Sequence, residues 1–344
     1  MKKENNYNYS PLIEPIIITE QEWPEGTLPL VHTRTMSYMH ENYIRDCIEG
    51  ILMQKTTFPV QVLIHDDASA DDTADIVREY ELKYPNLIKA YYQTENSYTK
   101  KDKRKRRLTF SSWRIGKYEA LCEGDDYWTD PLKLQKQFDF LENNEEFILC
   151  THNHSTKYVE RDDATDKVKY DHSFSYDLNF YFDNQITPTL TSFFRNIFRD
   201  FSYLAKENIF SDFFLFFELL KHGKGYYMVD NMATYRVHNQ GVCSGLSEEQ
   251  KILNHIIMFK HLHKYNSWLF QIRPQIARYY LIHFNYTLRV KKEKWPMWSD
   301  LINYFKYKTG FFELTITFLL YIPLYLIRYW LPNVLSFSKN NSEA

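Results

Sequence analysis

The sequence predicts an α/β fold, with a mostly parallel central sheet flanked by helices and a helical, membrane-associating C-terminal region. Three observations predict it. Short apolar runs alternate with helical periodicity between residues 28 and about 130, and strands alternating with helices argue for βαβ units around a parallel sheet. Two of the runs end in adjacent carboxylates, Asp66-Asp67 and Asp125-Asp126. Ligands of such sheets bind outside the carboxyl ends of the strands. From about Glu248 the composition changes to long helical and aromatic stretches. The 344 residues leave room for two domains. They divide into a lead-in (1–27), an α/β domain (28–247, with halves 28–130 and 131–247) and a helical region (248–344).

The lead-in carries Pro11, Pro15 and Pro24 and reads as irregular apart from Ile16-Ile17-Ile18. Leu28–Thr35 is the first candidate strand of the domain. Glu41–Gln54 reads as a helix because Ile44, Ile48, Ile51 and Leu52 recur at helical spacing. Val60–His65 is a second strand, ending at Asp66-Asp67-Ala68-Ser69. The next helix starts near Asp72, presents Ile76, Val77 and Tyr80, and stops at Pro85. Leu87–Tyr92 and Tyr118–Cys122 are the third and fourth strands. The fourth runs into Glu123-Gly124-Asp125-Asp126-Tyr127-Trp128, and Asp130-Pro131 marks the start of a helix reaching Leu141.

Composition excludes several function classes. A net charge of −2 argues against nucleic acid as the main partner. No glycine-rich dinucleotide or phosphate loop is present and only 9 glycines occur, so Rossmann dinucleotide and P-loop readings fail. A nucleotidyltransferase would want such a loop too. Cys47, Cys122, Cys150 and Cys243 form no Cys-x-x-Cys, and the N-terminus is polar without a signal-peptide core. The expectation is a reduced protein on the cytoplasmic side of the cell membrane. Cys150, His152 and His154 would share a strand face, but spacing places no fourth zinc ligand.

Adjacent carboxylates at a strand end can hold a hard divalent cation through oxygen while leaving coordination positions for phosphates. The segments His65-Asp66-Asp67-Ala68-Ser69-Ala70-Asp71-Asp72-Thr73 and Cys122-Glu123-Gly124-Asp125-Asp126-Tyr127-Trp128 resemble, in this order and spacing, motifs of family 2 glycosyltransferases. These are inverting enzymes of the GT-A fold, a Rossmann-like architecture. Glu41-Asn42-Tyr43-Ile44-Arg45, Thr191-Ser192-Phe193-Phe194-Arg195-Asn196, Ser211-Asp212-Phe213-Phe214-Leu215 and Tyr235-Arg236-Val237-His238-Asn239-Gln240-Gly241 add to the resemblance, which spans roughly 28–243. Met39 and Asp72 depart from the family's usual Asn and Gly.

The resemblance implies a nucleotide-binding half (28–130) and an acceptor half (131–247). It implies that Asp67, with Asp66 beside it, recognises the base, and that Thr35 and Tyr38 border the nucleotide. Asp125 would face the ribose or sugar. Asp126, with His238, would hold Mg²⁺ or Mn²⁺, and Arg236 would approach the diphosphate. Asp212 would be the catalytic base. One base opposite a metal-stabilised leaving group suffices for transfer with inversion. The implied partners are a nucleotide-sugar donor, most commonly a UDP-sugar in this family, and a glycan or polyprenyl-linked acceptor of surface polysaccharide synthesis. Bland readings stand beside these. Asp212 suits a helix N-cap, and a lone His is often a satisfied structural group. A catalytically weak glycan- or nucleotide-binding assembly subunit is the alternative to an enzyme.

The run Lys100–Arg107 has seven basic residues in eight. It reads as a solvated loop, or as one that gates a diphosphate or touches anionic lipid. Leu314–Ile327 is uncharged but interrupted by Pro323, shorter than the ~20 residues a spanning helix needs. With Trp295, Trp298, Tyr304, Tyr307, Tyr329 and Trp330 it suits a helix lying in the membrane interface, or a homodimer contact.

Overall fold

The structure is a computed structural model describing residues 9–96, 112–161, 163–165, 170–184, 188–197, 211–241, 245–266, 272–289 and 298–308. The basic run 100–107 and the apolar segment 314–331 lie outside the described residues. The chain divides into two compact units, Met1–Gly245 and Leu246–Ala344.

In the first unit the elements are β1 (Ile16–Ile17), β2 (Val31–Ser37), α1 (Ile44–Leu52), β3 (Lys55–Thr56), β4 (Val60–Asp66), α2 (Thr73–Lys83), β5 (Ile88–Tyr92), β6 (Tyr118–Leu121) and β7 (Tyr127–Trp128). There follow α3 (Lys133–Asn143), β8 (Phe147–Tyr158), β9 (Asp163–Thr165), β10 (Phe174–Tyr176), α4 (Leu178–Asn184), β11 (Phe193–Arg195), α5 (Ser211–Leu220) and β12 (Lys224–Val237). Among the described residues the large sheet has the order β10-β12-β8-β11-β6-β2-β4-β5, with β7 attached to β12 and β9 to β8. β6, β2, β4 and β5 are mutually parallel, β8 and β12 are parallel, and β11 runs antiparallel between the two groups. The sheet is mixed: the parallel groups β6-β2-β4-β5 and β8-β12 are joined by antiparallel β11, and β7, β9 and β10 also pair antiparallel.

Alternation along β2 and β4 fixes which side each residue faces. Val31, Val62 and Ile64 pack with Ile44, Cys47, Ile48 and Ile51 of α1 and Val77 of α2 in one buried core. Burying each of the isoleucines contributes about 1.5–3 kcal/mol as an upper bound. The opposite parity carries His32 and Arg34, and Glu119 on β6 is paired with His32 in register. Glu119 is fully buried and accepts from Arg34 Nε (2.7 Å) and Arg114 Nε (2.6 Å). Burial alone would raise its pKa, but the two guanidinium groups outweigh that and lower it.

Two expected boundaries move. The helix after the acidic motif begins at Lys133 rather than Pro131, because Pro131 O accepts from Lys55 N–H of β3 (2.8 Å) and Asp130 Oδ1 accepts from Leu132 N–H (2.8 Å). Asp212 lies inside the first turn of α5 rather than at its cap. The two-residue strand β7 was not expected at all. It forms by pairing with β12, and α1 packs closely on it at Gly50, where a Cβ would stand 2.8 Å from Trp128 O.

The second unit has helices α6 (Glu248–Tyr265), α7 (Ile272–Arg289) and α8 (Trp298–Lys308). Ser247 and Gln250 form a capping box at the start of α6. His283 Nδ1 of α7 lies 2.6 Å from Asp300 Oδ2 of α8. Tyr307, expected in a membrane interface, stacks on Tyr280 within this unit, with ring centroids 6.2 Å apart. Among the described residues no helix is long and apolar enough to cross a membrane.

Candidate active site

The carboxyl ends of β2, β4 and β6 meet on one edge of the sheet. Ser37 pairs with Asp66 across β2 and β4, and Asp67 N–H continues the ladder to Ser37 O (3.0 Å). On the other side of β2, Cys122 N–H reaches Arg34 O (3.1 Å) and Gly124 N–H reaches Met36 O (2.9 Å). The acidic motif thus runs beside β2 past the end of β6. β7 then pairs antiparallel with β12, Trp128 opposite Ala233 and Tyr127 opposite Thr234. That pairing carries the last residues of β12 to the two aspartates from about 110 positions further along the chain.

Asp125 and Asp126 separate sharply. Asp126 is 1% exposed, and its Oδ1 accepts from Arg236 N–H at 2.8 Å. Burial first, and the Asp125 charge second, push its pKa well above the usual carboxylate range. Asp125 keeps a partly exposed side chain, and its Oδ2 stands 3.1 Å from His238 Nε2 and 3.8 Å from His40 Nε2. Burial would raise the Asp125 pKa, but its partners, the His238 hydrogen bond foremost, outweigh that, so the pKa is lowered. The two carboxylates thus differ in burial and in partners. Asp126 is a buried structural group tied to β12, and Asp125 shares its oxygen with His238.

The Arg236 guanidinium is buried behind the pair, donating to Asp125 O (3.1 Å), ion-paired with Asp46 and lying 4.2 Å over the Tyr127 ring. These contacts tie it to the acidic loop and to α1. Beneath the loop, Lys133 Nζ is fully buried, 4.1 Å over the Trp128 ring and 2.8 Å from Gln137 Oε1. Burial pulls its pKa down to about 7.

At the end of β4, Asp66 turns back on its own loop. Its Oδ2 accepts from Ser69 N–H (3.0 Å), and Ser69 Oγ and Ser37 Oγ donate to Oδ1. Asp67 follows it at the strand end. Thr35 is fully buried with Oγ1 3.9 Å from Cys47 Sγ, so it packs against α1 and does not border the strand-end site. The parity of β2 could have shown this. Tyr38, 46% exposed, does lie at the open edge. Met39 adopts φ 58°, a left-handed conformation that Asn tolerates better than Met.

Two residues went unassigned in the sequence. His40 follows Met39 and approaches Asp125. Glu123 has its pKa pushed up to about 8, chiefly by burial, with Asp125 and Asp212 raising it and Arg34 opposing. Its place two residues before Asp125 was the available signal. Asp212 is close enough to Glu123 for its charge to register there, and burial raises its own pKa.

Asp125 Oδ2 and His238 Nε2 face each other at 3.1 Å, a hydrogen-bond distance. A divalent ion held through both would replace that hydrogen bond and would need His238 Nε2 unprotonated, a donor set of carboxylate oxygen and imidazole nitrogen that Mg²⁺ or Mn²⁺ accepts. Among the described residues no group of three or more His, Cys, Asp and Glu side chains gathers for a metal. Cys150 and His152 are buried in β8, His152 Nδ1 lying 2.7 Å from Asn153 O.

A curled α/β sheet with an acidic, histidine-flanked site at its strand ends defines a protein of the GT-A glycosyltransferase fold. Residues 35–203 match the model of glycosyl transferase family 2. An uncharacterized protein of Mycobacterium tuberculosis is 42% identical over 132 residues, covering 38% of this chain and 36% of that protein. The Escherichia coli UDP-Glc:alpha-D-GlcNAc-diphosphoundecaprenol beta-1,3-glucosyltransferase WfaP is 29% identical over 135 residues, 39% of this chain and 49% of its own. The chain thus spans less than half the length of either relative. The crystal structure of S. aureus TarS 1-349 in complex with UDP-GlcNAc superposes with a TM-score of 0.56 at 17% identity, covering 80% of this chain and 81% of that one. At that identity the likeness concerns the fold.

Proposed function

We propose that this protein is a metal-dependent inverting glycosyltransferase that moves a sugar from a nucleotide-sugar, a UDP-sugar, to a hydroxyl of a glycan or polyprenyl-linked acceptor in surface polysaccharide synthesis. The observation that carries this reading is the meeting of Asp125 and His238 at 3.1 Å, from two strands far apart in sequence, at the edge where Asp67 and Tyr38 also lie. Uridine diphosphate and a diphosphoundecaprenol-linked acceptor are supported by the descriptions of TarS and WfaP. A polyprenyl-linked acceptor would bring the protein to the inner face of the cell membrane.

In this reading Asp125 and His238 would hold Mg²⁺ or Mn²⁺, whose chemistry when bound would be to offset negative charge on the leaving diphosphate. Asp67 and Tyr38 border the base. Asp126 and Arg236 keep Asp125 in place from behind. Asp212 takes the proton of the acceptor hydroxyl as it attacks, a contribution of ~10²–10⁴ in rate. Its raised pKa suits a base better than an ordinary carboxylate would. The test is a donor panel with Mn²⁺, in wild type and in Asp212→Asn. The expected result is transfer in the wild type, and donor binding without transfer in the variant. Undiminished turnover by Asp212→Asn overturns its role. Donor binding without hydrolysis or transfer in the wild type would mark the protein as an assembly subunit.

A further inference from the structure

His40 is the residue of the site for which the strand-end reading has no use, and its placement is specific. The left-handed turn at Met39 redirects the chain as it leaves β2. Two bonds to the β4–α2 loop then fix it, Met39 N–H to Ser69 Oγ (3.0 Å) and His40 N–H to Thr73 Oγ1 (2.8 Å). The imidazole is thereby carried over the acidic loop. Its Nε2 faces Asp125 Oδ2 at 3.8 Å, the same oxygen that His238 Nε2 approaches at 3.1 Å. The two rings stand 6.4 Å apart, nearly perpendicular, so they flank that oxygen without touching each other. The far side of the His40 ring rests on Gly124, where a Cβ would lie 2.7 Å from Nδ1. Any side chain at 124 would therefore displace His40.

We propose that His40 is a positioning residue for the donor reaction: wedged on Gly124, it holds the Asp125 carboxylate from the side away from His238. This inference rests on the reading of Asp125 as a donor-site carboxylate. At 3.8 Å the ring is in contact with the carboxylate oxygen without a direct hydrogen bond, so it limits the positions open to the Asp125 side chain. Groups that orient a metal-binding side chain from behind typically contribute 10–100-fold to metal affinity or activity.

The test compares His40→Leu, His40→Gln, Gly124→Ala and Asp125→Asn with wild type. Binding of UDP is measured calorimetrically as Mn²⁺ is titrated, alongside kcat, KM and thermal stability. The expected result for His40→Leu is a rise of ~10–100-fold in the Mn²⁺ needed for half-maximal UDP binding, together with a fall in kcat, while folding persists. His40→Gln, whose amide nitrogen reaches a similar place to Nε2, should recover most of that loss, which a merely space-filling role would not produce. Gly124→Ala should resemble His40→Leu. The proposal fails if His40→Leu binds and turns over like wild type, or if the Leu and Gln variants are equally impaired. Should His40→Leu fail to fold, the Gln and Gly124→Ala variants decide by the same readout. If Asp125→Asn itself leaves Mn²⁺-dependent binding intact, the reading of Asp125 has failed, and the His40 proposal with it. If Asp125→Asn loses binding and His40→Leu does not, only the His40 proposal falls.

Discussion

Replacing Asp126 by Asn should do little, and replacing Asp125 by Asn should do much, although the two residues are adjacent. Asp126 is 1% exposed and accepts the Arg236 N–H through Oδ1 at 2.8 Å. Asn has the same size and keeps an acceptor at that position. Burial and Asp125 push the Asp126 pKa up, so the hydrogen bond to Arg236 N–H is what the fold draws from this side chain. The expected stability change is within about 1 kcal/mol, the net worth of one hydrogen bond. Asp126→Ala would strand the buried Arg236 N–H and cost about 1–3 kcal/mol, or roughly 2–12 °C in Tm for a unit of this size. Asp125→Asn keeps the shape but deletes the anion that His238 and His40 face. Mn²⁺-dependent UDP binding should fall by about 100-fold or more, beyond the 10–100-fold of residues that act from behind a ligand. Calorimetric titration of UDP with Mn²⁺, paired with urea unfolding, reads both quantities. The reverse pattern, with binding lost in Asp126→Asn and kept in Asp125→Asn, would refute the assignment.

Two further outcomes follow from buried bases. His32 accepts Gly116 N–H through Nδ1 (3.1 Å), and burial lowers its pKa to about 4. Its folded value lies below the unfolded 6.5, so the stability tied to its neutral ring is complete above 6.5 and lost as pH falls toward 4. That loss is roughly 3 kcal/mol, and His32→Asn should flatten it in denaturant melts between pH 7 and 4; parallel curves would contradict this. Lys133 ionises near 7 instead of 10.5, so unfolding takes up a proton between those values and stability should rise from pH 7 to 9 by roughly 2–3 kcal/mol. Lys133→Met should abolish that rise, and an unchanged slope would mean that the amine is not buried as described.

Much of this site was legible because parallel strands deliver their last residues to one edge, and two strands plainly ended in carboxylates. Helix α1 was legible from the spacing of Ile44, Ile48 and Ile51, all fully buried. What was not legible depended on non-local pairing. Nothing near Tyr127-Trp128 announces that these two residues pair with Ala233 and Thr234, yet that pairing decides that Asp126 points inward and Asp125 outward. An irregular loop has no alternation from which to read such a choice. The same pairing puts Arg236 behind the loop. His40 escaped notice because a left-handed Met39, which local propensity disfavours, aims it. Thr35 was a local error. Its parity on β2 with Val31 and Thr33 already assigned it to the face covered by α1.

The most direct measurement is calorimetric binding of UDP to the wild-type chain with Mn²⁺ and again with EDTA. Saturable binding that requires Mn²⁺ and disappears in Asp125→Asn is the expected result. Binding that is indifferent to EDTA, or that survives in Asp125→Asn, would contradict the assignment of Asp125 and His238 as the metal-diphosphate end of the site.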